Sequence, residues 1–200
     1  GVKDRIGYLS QRFGLYPDLT VAENLAFHAD LQGVPPAEMP ARTARLLGFS
    51  GLDAFHRRLA GDLSGGMKQK LGLACALIHT PRILFLDAPT NGVDPVSRRD
   101  FWRILHQLVR EGVTILVSTA YLDEAERCAE VVLMHHGQVL GHDLPGAFSR
   151  RVAGRTWLVR APALPKRKLQ RALSQHPAVL DALILGTAVR VVGRDQGDMQ

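Results

Sequence analysis

Two stretches of this 200-residue chain hold residues whose types and spacing could do chemistry. The first is Leu63-Ser64-Gly65-Gly66-Met67-Lys68-Gln69-Lys70, a hydroxyl and two glycines just ahead of an apolar helical pattern. Glycines let backbone come close to a ligand, and a helix start offers free amide donors and the positive end of its dipole, so an anion fits there. The Ser64 hydroxyl adds a donor. The second is Ile83-Leu84-Phe85-Leu86-Asp87, an aspartate directly after an all-apolar run. A buried carboxylate is costly without a partner. Two readings stand: Asp87 caps the following turn, or it holds a magnesium ion on nucleotide phosphates.

Strands and helices must position these groups. Residues 5–10 read as a short strand ending at Gln11, and Thr20 with Glu23 forms a capping box opening a helix to about Leu31. Ala41 to Leu47 reads as a second helix ended by Gly48, with a short helical piece near Asp53 to Leu59. The helix after the glycines is expected from Met67 to His79, where Pro81 stops it. Ile83 to Leu86 and Val113 to Thr119 read as strands buried on both faces, separated by a helix from Arg98 to Glu111. Tyr121 to Cys128 is a short acidic helix, and Val131–Met134 pairs with Gln138–Leu140 across His136-Gly137. Alternating strands and helices predict an α/β layer fold with working residues beyond the strand ends, which selects Gln11, Asp87 and Ala120. From about Gly154 a β-α-β-β module follows: Thr156–Arg160, Lys166–Ser174, Val179–Leu185 and Val189–Val192.

Composition narrows the class. An apolar share of 46% supports a real core. The longest apolar stretch, Leu71 to Ile78, contains Gly72 and falls well short of the roughly 20 residues of a bilayer span. No signal peptide is visible. Cys75 and Cys128 lack metal-ligand spacing and read as reduced thiols. Of the net +6, residues 146–200 supply ten Lys or Arg against three Asp, so the tail is basic and the rest nearly balanced. A basic tail suits nucleic acid, an anionic membrane surface, or simply a solvated face.

Taken together, Leu63-Ser64-Gly65-Gly66, the helix, the strand ending at Asp87 and Pro89-Thr90-Asn91-Gly92-Val93-Asp94-Pro95 closely resemble the ABC ATPase family. Ile6 to Gln11, Leu19 to Leu25, Ser118-Thr119 and Tyr121 to Arg127 extend the resemblance over roughly the first 145 residues. It implies an α/β fold over 1–145, part of the ABC-type P-loop NTPase with a parallel sheet core and a helical signature subdomain. A small α+β accessory extension follows over 146–200. It also implies roles. Gln11 is the glutamine that contacts magnesium or the attacking water and relays nucleotide state to the membrane domain. Ser64, Gly65 and Gly66 are the signature turn on the γ-phosphate held by the opposite subunit. Asp87 is the Walker B aspartate and Asp94 the D-loop aspartate at the dimer interface. Cofactors are ATP and Mg2+. Partners are a second ABC ATPase domain, paired head to tail, and a membrane-spanning permease domain. The expected place is the cytoplasmic face of the inner membrane, held peripherally.

The sequence departs from the pattern in three places. The phosphate loop Gly-x-x-x-x-Gly-Lys-Ser/Thr is absent, and no Gly-Lys dipeptide occurs. Only ten residues precede Gln11, so truncation before that loop is expected, and with it weak ATP binding by these residues alone. Ala88 stands where the family keeps a glutamate that polarises the attacking water, and Ala120 where it keeps a histidine on the γ-phosphate. Losing a positioned general base costs about 10²–10⁴ in rate. Rescue by His135, His136 or Glu124 is not expected from their placement. Three origins are open: a naturally degenerate half of a two-site transporter, a deliberate substitution, or a minor variant. Degeneracy is favoured, because the residues used by a partner site are kept. Met67 with Lys68-Gln69-Lys70 resembles drug and polysaccharide exporters. The rival class is an ABC protein acting on ribosomes or nucleic acid, or a purely regulatory half; no nucleic-acid partner is expected on the leading reading.

Overall fold

The computed structural model describes residues 5–12, 14–150 and 153–194, and the chain divides into two compact units between Tyr121 and Leu122. In the first unit, β1 (Ile6–Leu9), β2 (Ile83–Asp87) and β3 (Thr114–Ser118) form a parallel sheet in that order. Its register aligns Leu9 with Leu86, and Asp87 with Ser118. Helices α1 (Val21–Leu31), α2 (Met39–Ser50), α3 (Gly65–Leu77) and α4 (Pro95–Arg110) complete the unit.

The expected strands and helices form, with instructive differences. Among the described residues, the two faces of β2 and β3 differ in how far they are covered. Leu84 and Leu86 are buried, whereas the in-register row Tyr8–Phe85–Leu116 on the other face leaves Tyr8 60% and Leu116 59% exposed. Helix α2 runs through Gly48 to Ser50 and ends on Gly51 in the left-handed region at φ 67°. Its neighbour Asp53–Phe55 is a single 3₁₀ turn. Helix α3 starts two residues before Met67, so both glycines lie in its first turn and Ser64 is the N-cap. Helix α4 starts at Pro95, three residues before Arg98, with Asp94 as its N-cap. An aspartate followed by proline is a strong start signal, since proline at the first helical position needs no amide partner.

The second unit holds α5 (Leu122–Ala125), β4 (Val131–His135), β5 (Gln138–Asp143) and α6 (Pro145–Arg150). β4 and β5 pair antiparallel across His136-Gly137, with φ of 48° and 75°, as a two-residue hairpin turn requires. Helix α6 is not foreseen by the sequence reading. β6 (Thr156–Val159), α7 (Lys166–Ser174), β7 (Val179–Leu185) and β8 (Ala188–Gly193) then form the β-α-β-β module, with sheet order β6-β8-β7. Leu169 and Leu173 of α7 pack on Val179, Ala182, Val189 and Val191, which leaves its Lys and Arg residues outward. Among the described residues, no helix is long and apolar enough to cross a membrane.

Candidate functional site

The parallel sheet brings three loop starts to one end. Asp87 is the last residue of β2 and is exposed, and Gln11 lies two residues past β1. Neighbouring strands are about 4.8 Å apart. The β1–β2 register therefore puts the Gln11 turn beside the Asp87–Ala88 segment. Ser118 ends β3 directly opposite Asp87. Its hydroxyl donates to Asp87 Oδ1 at 2.8 Å and accepts from the Ala88 amide at 2.9 Å. The Ser118 carbonyl accepts from the same amide at 3.1 Å. Asp87 is thus oriented from the next strand. Ala88 sits at φ 42°, a left-handed conformation unusual for a residue with a Cβ. Ala120, exposed, follows two residues after Ser118, and the Arg98 guanidinium stacks 4.2 Å from the Tyr121 ring next to it.

A second group forms where α3 and α4 begin. Ser64 Oγ accepts from the Met67 amide at 3.3 Å, so the hydroxyl proton remains available to donate. The Gly65 and Gly66 amides lie in the first turn, where no intrahelical carbonyl is available. Gly65 is exposed, with open space where a Cβ would be. Gly66 is buried, and a Cβ built on it would lie 2.5 Å from Ser97 Cβ, closer still to Ser97 Oγ, and 3.8 Å from Asp94 Oδ2. Only glycine fits this approach. Asp94 Oδ1 accepts from the amides of Val96 at 3.1 Å and Ser97 at 2.9 Å. The Ser97 hydroxyl and amide, with help from Val96, hold the Asp94 carboxyl below the usual carboxylate range. Lys70 and Asp100 add a link between the two helices at 3.8 Å. No hydrogen bond joins Ser64, Gly65 or Gly66 to Gln11, Asp87 or Ser118 among the described residues.

Sequence reading missed three supporting residues. Ser118 and Ser97 act through contacts far apart in sequence. Asn24 is fully buried and clamps the stretch after the Gln11 turn. Its Oδ1 accepts from the Tyr16 amide at 2.9 Å, and its Nδ2 donates to the carbonyls of Tyr16, Leu19 and Thr20 at 2.9–3.1 Å. An asparagine in the first turns of a capped helix is the available signal.

Two grooves lie away from Asp87. They measure about 630 and 770 Å³ and flank the Arg45–Glu111 ion pair; the larger is lined by Arg82, Ile83 and Thr114, at the opposite strand ends from Asp87. Asp87 itself is exposed at its strand end. The donor set there fits magnesium. Asp87 offers a hard oxygen ligand oriented by Ser118, and Gln11 an exposed side-chain amide. Magnesium is normally held by one or two carboxylates together with substrate phosphates rather than by an all-protein cage.

A profile of the family described as "ABC transporter" matches residues 2–91. The probable multidrug ABC transporter ATP-binding protein YbhF of Escherichia coli is 50% identical over 187 residues, covering 94% of this chain and 32% of that protein. The daunorubicin/doxorubicin resistance ATP-binding protein DrrA of Streptomyces peucetius is 35% identical over 180 residues, 89% of this chain and 54% of that one. The chain therefore spans about a third to a half of the length of these relatives. Among solved structures, CbiO1 of Clostridium perfringens, part of the ABC transporter complex CbiONQ, superposes with a TM-score of 0.67 at 27% identity, over 74% of this chain and 61% of that one. With the signature-like helix start, the Asp87 strand and these likenesses all in agreement, the chain belongs to the ATP-binding domains of ABC transporters.

Proposed function

We propose that this chain forms part of the ATP-binding subunit of an exporter, completing a partner domain's ATP site while hydrolysing poorly at its own. The supporting observation is a contrast between two groups. The group that serves a site in trans is intact and braced: Gly66 is packed on Ser97, and Asp94 caps α4 beside it. The group beside Asp87 has methyl side chains at Ala88 and Ala120, which can neither take a proton nor donate to a phosphate oxygen. The names of YbhF and DrrA, which concern multidrug transport and drug resistance, support export over import.

In this reading the Gly65 and Gly66 amides and the Ser64 hydroxyl donate to the γ-phosphate of ATP bound by the partner domain. Asp94 meets that domain across the interface. Asp87 and Gln11 are the residues that would hold the magnesium ion, which when bound supplies charge neutralisation on the phosphates. Ser118 keeps the Asp87 carboxylate aligned for that task. The proposed ATPase domain covers residues 1–145, with 146–200 as an accessory extension. The partners are a second ABC ATPase domain and a permease domain, and the assembly sits at the cytoplasmic face of the inner membrane. The basic outward face of α7 is read as solvated, with no nucleic-acid partner.

The test is steady-state ATP turnover by the full-length parent protein with and without Ser64→Arg. The bulky cation at the α3 N-cap should abolish most of the turnover. Full turnover after the substitution would refute donation in trans, and an inactive parent that still binds Mg-ATP would make the domain a regulatory one.

A further inference from the structure

Gln69 lies on the same helix as the Ser64 turn, and the reading above gives it no task. Its side chain is completely buried, and neither Nε2 nor Oε1 has a hydrogen-bond partner. A side-chain amide carries two donors and a two-lone-pair acceptor, so an interior position without partners is among the costlier places to keep one. An apolar residue of the same size would fill the space without that cost. A buried, unmet amide of this kind calls for an explanation in what it can engage.

Its position can be worked out from the packing of α3 on β1. His79 Nε2 lies 3.0 Å from the Ile6 carbonyl, and the Ala76 carbonyl lies 2.7 Å from where a Gly7 Cβ would be. Helix α3 therefore runs antiparallel to β1, and Gly7 is the point of closest approach. Gln69 is seven residues before Ala76, about 10.5 Å along the axis and back on the same helical face. Strand β1 advances about 3.3 Å per residue, so the same rise from Gly7 reaches Ser10 and Gln11. The Gln69 amide thus lies at the level of the Gln11 turn, on the side of α3 that faces β1.

That turn hangs between two fixed points. Leu9 is buried at the end of β1, and Tyr16 is held by both amide atoms of Asn24. Between them Gln11 and Arg12 are exposed, and Gly14 sits in the left-handed region at φ 60°. Gly14 is itself held, its amide donating to the Arg12 carbonyl at 2.7 Å and its carbonyl lying 3.3 Å from His28 Nε2. At the other end of the short distance, Ser64 caps the same rigid helix five residues before Gln69, about 7.5 Å away.

We propose that Gln69 is a positioning residue: its amide hydrogen-bonds the backbone of the Ser10–Gln11 turn when that turn settles inward, tying Gln11 to the helix that presents Ser64, Gly65 and Gly66. This rests on the function proposed above for those residues. The coupling gives the chain a direct path between the residue that would sense magnesium or the attacking water and the turn that serves the partner's nucleotide.

The intact subunit carrying this chain is compared with its Gln69→Met variant, which matches length and flexibility and removes the amide. Two readouts are taken: the melting temperature, and hydrogen exchange of the peptide spanning residues 9–16 without nucleotide. Melting is expected to be unchanged or higher, with exchange of the Ser10 and Gln11 amides at least about threefold faster because the inward setting is lost. Gln69→Leu should behave alike. Unchanged exchange overturns the proposal, and so does a lowered melting temperature with protection lost evenly across the domain, which marks a merely structural amide. The Ser64→Arg measurement stands apart: turnover unaffected there sinks the trans-donation reading, while altered exchange in Gln69→Met still supports the link.

Discussion

Replacing Gly66 with alanine tests the bracing of the two helix starts. The added methyl would lie 2.5 Å from Ser97 Cβ, about 1 Å inside ordinary contact, and 3.8 Å from Asp94 Oδ2. Neither atom of Ser97 is the far end of a flexible chain, so α3 or α4 must shift at its first turn. Overpacking of this kind costs about 1–3 kcal/mol. Alanine for glycine in a helix returns about 0.5–1 kcal/mol, leaving a net loss of up to about 2.5 kcal/mol. At about 2–4 °C per kcal/mol for a protein of this size, melting should fall by up to about 10 °C. The assay is a double-mutant cycle read by thermal melting. Ser97→Gly removes both clashing atoms and should restore Gly66→Ala, with a coupling of about 1 kcal/mol or more. Ser97→Ala keeps the Cβ and should not. Gly65→Ala, which meets open space, is the control and should be tolerated. A Gly66→Ala cost that is the same in the Ser97→Gly background would refute the packing account.

Two further predictions follow from the same unit. Ala88→Glu in the full-length parent should raise ATP turnover by about 10²–10⁴ if the missing general base limits it, and steady-state kinetics with Asp87→Asn as the inactive control would show it. No gain would mean that the left-handed backbone at residue 88, with φ 42°, does not present a glutamate usefully. His28, whose Nε2 lies 3.3 Å from the Gly14 carbonyl, has its pKa lowered by burial, partly offset by that hydrogen bond. The folded state then binds fewer protons than the unfolded one, so His28 contributes stability above its ordinary value near 6.5 and loses it as pH falls through the lower folded value. Melting should therefore drop more between about pH 7.5 and 5.5 in the wild type than in His28→Gln. An identical pH dependence in the variant would count against it.

Local chemistry was legible in the sequence where a few neighbouring residues decide the outcome. The Thr20–Glu23 capping box is present, with the Thr20 amide 2.7 Å from Glu23 Oε2, and α7 spans the expected Lys166 to Ser174. The glycine turn and the strand ending at Asp87 were also read directly. What was not legible depends on contacts between distant segments. Ser118 reaches Asp87 across 31 residues, and Ser97 meets Gly66 across the start of another helix. A short apolar run such as Ile83 to Leu86 says that a strand forms but not which of its residues pack most deeply, here Leu84 and Leu86. Gly48 illustrates a different limit. It looked like a helix end, but the true end is set by Gly51, which adopts the left-handed conformation.

The hydroxyl between Asp87 and Ala88 has a further consequence. Ser118 has one proton to give, and because its oxygen already receives the Ala88 amide, the free rotor is left with a single useful setting, toward Asp87. The orientation of the carboxylate is thus written into the peptide bond that follows it. Any ligand arriving at Asp87 meets a carboxylate already oriented by that hydrogen bond, with less rotational freedom to surrender on contact. A side-chain change at residue 88 alters the chemistry beside that oxygen but not its aim, so a domain could lose turnover and still keep the geometry needed to recognise its nucleotide.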